Sequence, residues 1–261
     1  MITFKAHINE KMGVIFYNPE TIKFLNKLEK TGLEYTQLKN LIDNNQLTIG
    51  STPEGASYIE EGVNFIRVQD IDDDGNIDLE NCKKISLQDH LKKIKSKIDF
   101  MNILIVVTGS TVGKTSIFEY KDIEANINQN IIKIVADESK IDPHFLYYYI
   151  KSKAGQIQLI RNAQRMAQEY LNYPSIKSIN IAYPKDKIRQ RKILEDIKDF
   201  REKVYKNKLK YEEAIKRLAS IFESMINFNE NLTPKKEFKE SKLDDCVFRF
   251  NRTLIPFLTE H

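Results

Sequence analysis

The residues most suggestive of chemistry form a glycine-rich turn after an apolar run, in the stretch ILIVVTGSTVGKTSIF at residues 103–118. A phosphate-binding loop has the pattern G-x-x-x-x-G-K-[ST] and continues into a helix whose N-terminus faces the phosphate. Gly109 and Gly113 are one residue too close for this pattern. The residues that follow, TSIFEYKDIE, are β-branched and aromatic types that favour a strand. We therefore predict a tight turn at a strand edge, which would present Ser110, Thr111 and Lys114.

Acidic residues at positions 70–81 follow the spacing of a calcium-binding loop, in the stretch DIDDDGNIDLEN. The last ligand of such a loop is a bidentate glutamate, but Asn81 stands at that position. The flanking residues also lack the pattern of paired helices. A hairpin turn around Asp74 and Gly75 is the better interpretation.

Three charged residues, Asp99, Glu119 and Lys121, occur in the order used by metal-dependent nucleases. Such combinations are common in a chain with 30% charged residues, so a solvent-facing strand end is favoured. The four histidines are scattered and no Ser/His/Asp or Cys/His set is apparent. We predict no catalytic residues and no metal site, and we keep a nuclease with these three residues as the alternative from another functional class.

Arginine and amide side chains are concentrated in the stretch IRNAQRMAQEYLN, at a spacing compatible with one face of a helix. Arg and Gln make bidentate contacts with guanine and adenine edges in the major groove of DNA. A second amide cluster lies in NINQN at residues 126–130. An exposed polar helix face would explain the first cluster equally well. The DNA-contact candidates in the two clusters are Asn128, Gln129, Arg161, Gln164, Arg165 and Gln168.

Bulk properties indicate a folded protein of mildly basic charge. The chain has 261 residues, 41% of them hydrophobic, and a formal net charge of +4, which does not by itself require a nucleic-acid partner. Cys82 and Cys246 are far apart without metal-ligand neighbours, so neither a disulfide framework nor a zinc site is expected. No segment approaches the roughly 20 apolar residues that cross a bilayer. We expect a cytoplasmic protein.

The pattern of apolar residues predicts an α+β fold with three parts. A short helix is predicted at residues 18–30, strands dominate from about Tyr35 to Val135, helical spacing returns in DPHFLYYYIKSKAGQIQLI, and NIAYP from Asn180 resembles a final strand. The predicted strands include NFIRV, GNIDL, NILIVV, TSIFEY and NIIKIV. We place a globular domain at residues 1–185, a long helix at 186–228 and a tail at 229–261.

The predicted long helix carries apolar residues at alternating spacings of four and three, as in a coiled coil with one slip in register. A helix of ~40 residues would be roughly 60 Å long at about 1.5 Å per residue, and a partner chain would cover its stripe. An intramolecular helical hairpin is the other possibility. The seam residues are Ile193, Ile197, Phe200, Val204, Tyr211, Ile215, Leu218, Phe222 and Met225.

One short stretch of the tail is similar in sequence to a stretch near the start of the chain. The stretch NRTLIPFL at residues 251–258 aligns without a gap to NPETIKFL at residues 18–25, and each follows an aromatic residue. Short matches of this kind also arise by chance. A true repeat would mean that the chain holds one complete unit and the beginning of a second.

Five stretches, taken in order, resemble the target recognition domain and spacer helix of specificity subunits from type I restriction-modification systems. They begin with TIGSTPEGASYIEEGVNFIRVQDIDDDGNIDLENCKKIS and end with RQRKILEDI. Between them come NILIVVTGSTVGKTSIFEYKDIEANINQNIIKIV, IDPHFLYYYIKSKAGQIQLIRN and LNYPSIKSINIAYP. The similarity runs from about Asn18 to Met225, and the family carries a turn like that at Gly109–Lys114 without binding nucleotide.

The resemblance implies a mixed-sheet recognition domain that reads half of a split DNA sequence, followed by a helix that pairs with a second helix. It also implies partners: an adenine methyltransferase subunit that uses S-adenosylmethionine, and a motor-nuclease subunit that consumes ATP with Mg²⁺. No cofactor is expected in this chain. One domain and one long helix imply a half-size subunit that dimerises with itself or with a sister subunit. A recognition module of another methyltransferase system is the nearest alternative.

Overall fold

The computed structural model describes residues 19–29, 32–53, 55, 58–165 and 169–230. The chain divides into two compact units, residues 1–198 and 199–261. The possible repeat at residues 251–258 lies outside the described residues. Among the residues that are described, no helix combines the length and apolar character needed to cross a membrane.

Runs of short strands and several helices form the first unit, and one long helix begins near its end. In chain order they are α1 (Pro19–Glu29), β1 (Glu34–Gln37), β2 (Ile42–Ile49), β3 (Val63–Ile66), β4 (Lys83–Ile85), α2 (Leu87–Lys92), β5 (Lys97–Ile98), β6 (Ile103–Val106), β7 (Thr115–Ile117), β8 (Ala125–Ile127), β9 (Ile131–Ala136), α3 (Pro143–Lys151), α4 (Lys153–Asn162), β10 (Gln164–Arg165), β11 (Glu169–Tyr170), α5 (Tyr173–Lys177), β12 (Asn180–Tyr183) and α6 (Lys187–Glu230).

Two four-stranded sheets carry the domain. The first has the strand order β2-β9-β6-β7 with antiparallel neighbours. The second has the order β4-β3-β8-β5, in which β3 and β8 run parallel and the outer strands run antiparallel. Two short pairs, β1 with β12 and β10 with β11, complete the described strands. One antiparallel sheet and one mixed sheet, together with helices, confirm the predicted α+β class.

Strand β6 lies at the centre of the core because all four of its residues are buried. Side chains alternate between the two faces of a strand. Ile103 and Ile105 belong to the cluster that includes residues of α3, α4 and α5, whereas Leu104 and Val106 belong to the cluster shared with the second sheet. The continuous apolar run before the glycine turn therefore reflects a strand covered on both faces.

Most of the predicted elements form, with one exception among the strands. The helical stretch after residue 141 forms α3 and α4, separated at Ser152, and the Asp142 side chain accepts hydrogen bonds from the first turn of α3. The predicted strand in GNIDL is wrong. That segment makes only an isolated bridge between Ile71 and Ile77, because the chain turns back on itself within a few residues.

Helix α6 is 44 residues long and confirms the predicted long helix. Large apolar side chains at four predicted seam positions are exposed, by 67% at Phe200, 51% at Val204 and 46% at both Tyr211 and Leu218. The remaining seam positions Ile197, Ile215, Phe222 and Met225 are also helical. The boundaries predicted for domain, helix and tail stay predictions.

The start of the seam differs from the prediction. Ile193 is half-buried and packs, with Leu194, against the core cluster of the first unit. Its apolar surface is used within its own chain, so the face left for a partner begins after this residue.

Candidate nucleic-acid interface

Three polar segments meet where β6 ends. The Val107 N–H donates to the Asn130 carbonyl at 2.9 Å, and the Val107 carbonyl accepts from the Leu171 N–H at 2.9 Å. Thr108 then forms an antiparallel bridge with Tyr170. These contacts bring together the turn 109–114, the turn 128–130 and the β10–β11 pair. We call this set of three segments the loop face.

The turn 109–114 joins two antiparallel strands, with Ile105 opposite Thr115. Glycine is required at both ends, since Gly109 has φ 86° and Gly113 has φ 90°, values in the left-handed region. A strand follows Lys114, which confirms the prediction of a turn at a strand edge. Without a helix N-terminus the segment lacks the dipole and N–H groups that hold a nucleotide phosphate.

Two of the polar side chains in this turn face outward to different degrees. Ser110 is exposed and Thr111 is half-buried. Helix α4 supports the turn from beneath, because the Gln156 amide donates from Nε2 to the Gly113 carbonyl at 3.0 Å. The turn is therefore held by both strands and by a helix, and its tip presents hydroxyl groups.

Lys114 has a partner within the domain. Its Nζ lies 2.8 Å from Asp73 Oδ1 and donates to the Ile71 carbonyl at 3.2 Å. The lysine thus links the turn to the hairpin at residues 71–77. A DNA-facing turn would allow Lys114 to contact a DNA phosphate, and that contact would compete with Asp73.

The segment after α4 corrects the predicted helical face. The helix ends at Asn162, Ala163 adopts an extended conformation, and Gln164 and Arg165 form strand β10. Pairing with β11 explains the change, since Gln164 lies opposite Tyr170 and Arg165 opposite Glu169. Helical spacing therefore does not group these residues, and Gln168 lies outside the described residues.

Arg161 occupies the last turn of α4 and is half-buried. It lies close enough to Tyr35 for its positive charge to influence that phenol. Burial raises the pKa of Tyr35, while the hydrogen bond with Asn180 and the charge of Arg161 oppose the rise. Arg161 thus lies near β1 and a few residues before β10 in the chain.

The two DNA-contact candidates in the turn 128–130 have different environments. Asn128 is buried, and its Oδ1 accepts from the Asn130 N–H at 3.2 Å, so it shapes the turn. Gln129 is exposed. Of these two DNA-contact candidates, Gln129 is the one whose side chain reaches solvent.

Three residues in or beside the loop face were not among the predicted candidates. Thr52 donates a hydrogen bond from its hydroxyl to Gln129 Oε1. Tyr170 is 38% exposed, and the Tyr173 hydroxyl accepts from the Ile49 N–H at 2.7 Å. Glycine in TIGSTP and the closely spaced tyrosines in EYLNYP were the available signals, since glycine permits close backbone approach and aromatic side chains stack on bases.

The calcium-like segment forms the predicted hairpin turn. Gly75 has φ 83°, and the Asp72 carboxylate accepts from the Asn76 backbone and side-chain N–H groups at 2.7 Å. Asp70 instead pairs with Arg67 at 2.9 Å. Within the described part of the chain, no three His, Cys, Asp or Glu side chains are grouped so as to hold a metal ion.

The three nuclease candidates have separate partners. Glu119 Oε1 lies 2.7 Å from His144 Nε2, and Asp99 Oδ1 lies 3.7 Å from Lys97 Nζ. Lys121 Nζ lies 5.0 Å from the centre of the Phe100 ring. The side chains are therefore used in three different local contacts.

The domain and its loop face can now be compared with known proteins. The sequence profile of the family described as Type I restriction modification DNA specificity domain matches residues 50–217. The chain belongs to this family. This specificity domain is thus a DNA-recognition chain rather than a catalytic one, as predicted, and the match includes all three segments of the loop face.

Related proteins point to the same family. The chain is 29% identical over 149 residues to the Type I restriction enzyme EcoBI specificity subunit of Escherichia coli. The aligned region covers 57% of this chain and 31% of that subunit. A chain from a study of complex assembly and conformational transition in the type I R-M system is 15% identical, with a TM-score of 0.50, covering 81% of this chain and 51% of its own length. That likeness supports the shared fold.

Two further solved structures are similar at lower scores. The type I S subunit from M. genitalium is 18% identical with a TM-score of 0.46, and covers 77% of this chain and 45% of that chain. The HsdS subunit from Thermoanaerobacter tengcongensis is 16% identical with a TM-score of 0.49, and covers 71% and 44%. The specificity domain spans about half the length of these solved chains and about a third of the EcoBI subunit.

Proposed function

We propose that this chain acts as the recognition unit of a specificity subunit, which reads one half of a bipartite DNA sequence through its loop face. The observation that carries the proposal is the gathering of three polar segments at the end of β6 in a domain of the specificity family. Proteins commonly carry binding residues on surface loops that a buried scaffold, here β6, holds in position. The loop face supplies hydroxyl and amide groups that suit base edges.

The side chains divide into two roles. Gln129 and the β10–β11 residues Gln164 and Arg165 would contact bases, together with Gln168, and each good bidentate pair is worth ~1 to 3 kcal/mol of discrimination. Arg161 would contact phosphate, which positions the protein and makes affinity depend on salt. Ser110 and Thr111 could serve either role from the tip of their turn.

The long helix would pair with a second long helix and set the distance between two half-sites. Its exposed stripe at Phe200, Val204, Tyr211 and Leu218 supports this proposal, since large apolar groups at coiled-coil spacing are stabilised by a facing helix. The second helix would come from another copy of this chain or from a sister specificity subunit.

Membership of the specificity family supports a proposal about the partners. We propose that the chain guides an adenine methyltransferase subunit, which binds S-adenosylmethionine, and a restriction subunit, which uses ATP and Mg²⁺, in the cytoplasm. These cofactors belong to the partner subunits. This chain's own residues would bind DNA and hold the partners at the recognised sequence.

A genome-wide map of adenine methylation, with and without the gene, tests the proposal. Loss of methylation at a split motif is expected when the gene is deleted. Two identical inverted half-sites would indicate a homodimer, and unequal halves would indicate pairing with another specificity subunit. An unchanged map in a strain that expresses the protein would contradict the proposal. Methylation lost at a continuous motif would instead indicate a recognition module of another methyltransferase system.

A further inference from the structure

One segment that precedes the second sheet packs directly against the turn 128–130. The Gly50 N–H donates to the Ile131 carbonyl at 2.9 Å, and the Ser51 N–H donates to the Ile127 carbonyl at 3.1 Å. A Cβ atom on Gly50 would lie 2.2 Å from the carbonyl oxygens of Ile127 and Asn128. The backbone at residues 50–51 can take this place only because residue 50 lacks a side chain.

This close packing places Thr52 beside Gln129. The Thr52 hydroxyl donates to Gln129 Oε1. Asn128, the neighbouring amide, is turned inward to accept from the Asn130 N–H. Gln129 is therefore the exposed amide of the turn, and its carbonyl oxygen is held by a threonine from another part of the chain.

A glutamine whose carbonyl oxygen is hydrogen-bonded to a neighbouring residue offers different groups to a base than a free glutamine does. A free amide offers both an acceptor and two donors, which is the combination that pairs with the N7 and N6 atoms of adenine. The Thr52 hydroxyl uses one of the two lone pairs of the Gln129 carbonyl oxygen and holds that oxygen on the side of residue 52. The opposite end of the amide, with its two Nε2 donors, would then be the end offered to a base. Guanine offers two acceptors, N7 and O6, on its major-groove edge.

We propose that Thr52 is a specificity-determining residue, which positions the Gln129 amide so that it donates to guanine rather than pairing with adenine. Thr52 acts through Gln129 and does not itself contact the base. This inference rests on the proposed function, since it assigns a chemical preference to one position of the recognised half-site.

Determination of the methylated motif in a strain that carries the full chain and its partner subunits tests the inference. The wild-type chain is expected to require guanine at one base pair of its half-site. Thr52→Val keeps the shape of the side chain and removes the hydroxyl, so it should shift the preference at that base pair towards adenine by about tenfold. Thr52→Ser keeps the hydroxyl and should retain the wild-type motif.

Gln129→Leu identifies the position, because it should abolish the preference at the same base pair and leave the other positions unchanged. Thermal unfolding of each purified variant checks that the domain is intact. A wild-type motif in the Thr52→Val strain, or changes at different base pairs in the Thr52 and Gln129 variants, would overturn the inference. A wild-type chain that yields no motif at all would instead overturn the proposed function.

Discussion

The recognition domain and the long helix use apolar residues in opposite ways. In the domain, all four residues of β6 are buried between two layers. In α6, Phe200 and Val204 expose 67% and 51% of their surface. The domain therefore completes its own core, whereas the helix keeps an apolar stripe exposed in the described chain. This difference suggests that the domain carries the reading of DNA and that the helix carries assembly.

The largest effect is expected from a change at Gly50, where the domain's backbone segments pack most closely. Gly50→Ala should destabilise the domain by about 2 to 4 kcal/mol, because the new Cβ would collide with two backbone oxygens that cannot move independently. Denaturant unfolding measures this loss. Gly32→Ala is the matched control. Gly32 has φ 74°, and among the described residues no atom apart from its chain neighbours lies within 4 Å of the position a Cβ would take, so its cost should be about 1 kcal/mol. Equal costs for the two variants would contradict the account.

A second change addresses the exposed stripe of the helix. Val204→Asp should weaken self-association or pairing with a sister subunit by about 100-fold or more, because it places a charge in an apolar interface. Analytical ultracentrifugation measures association, and the unfolding of the domain should remain unchanged. Tyr205→Asp is the control, since Tyr205 is 62% exposed but lies outside the seam spacing. If the Val204 variant associates like the wild type, the seam has been assigned wrongly.

A third change tests the reading of bases by the β10–β11 pair. Arg165→Ala should reduce discrimination at one base pair by about tenfold to 100-fold and leave the other positions unchanged. Binding to a panel of single-base variants of the recognised site measures this. Lys92→Ala is the control, since it removes an exposed positive charge on α2, outside the loop face, and should leave base discrimination unchanged. A uniform loss of affinity for all sequences would show that Arg165 contacts phosphate instead.

The smallest effect concerns a surface carboxylate of the domain. The Lys140 ammonium, at 2.7 Å, and the Ser139 hydroxyl and N–H lower the pKa of Asp137 to about 2. A depressed pKa gives a contribution that is present above the unfolded value near 3.9 and lost as the pH falls towards the folded value. Asp137→Asn should therefore lower Tm by about 2 °C or less at pH 6, and the difference should vanish as the pH falls from about 4 to about 2.

Thermal unfolding across this pH range, with Asp122→Asn as an exposed control, measures the Asp137 contribution. A difference between wild type and Asp137→Asn that grows on acidification would contradict the assigned ion pair.

The sequence predicts elements whose pattern is local. The buried strand at residues 103–106, the turn after it and the long helix all follow from residue type and spacing. The segment at residues 161–168 does not, because its conformation depends on pairing with Tyr170 and on the bridge from Thr108, contacts that helical spacing cannot reveal. The prediction that Ile193 belongs to the seam fails for a similar reason. Its spacing fits the seam, but its neighbours in space belong to the domain core.

The loop face depends even more on contacts that the sequence pattern does not reveal. Residue types indicated amides and hydroxyls that could read DNA, and the structure brings three of these segments together. The inward position of Asn128 depends on a hydrogen bond within the turn, and the role of Thr52 depends on a hydrogen bond between distant parts of the chain. Gly50 was the visible signal of that close approach, although the sequence alone does not show which backbone it meets.

The most direct test asks whether the helix measures distance while the domain reads sequence. Duplicating residues 204–210 adds one heptad to α6 without altering the domain. The methylated motif of the resulting strain should keep the same half-site bases and have a spacer longer by about three base pairs, since a heptad adds roughly 10 Å of helix and each base pair spans about 3.4 Å. An unchanged spacer, or new bases in the half-site, would contradict this division of roles.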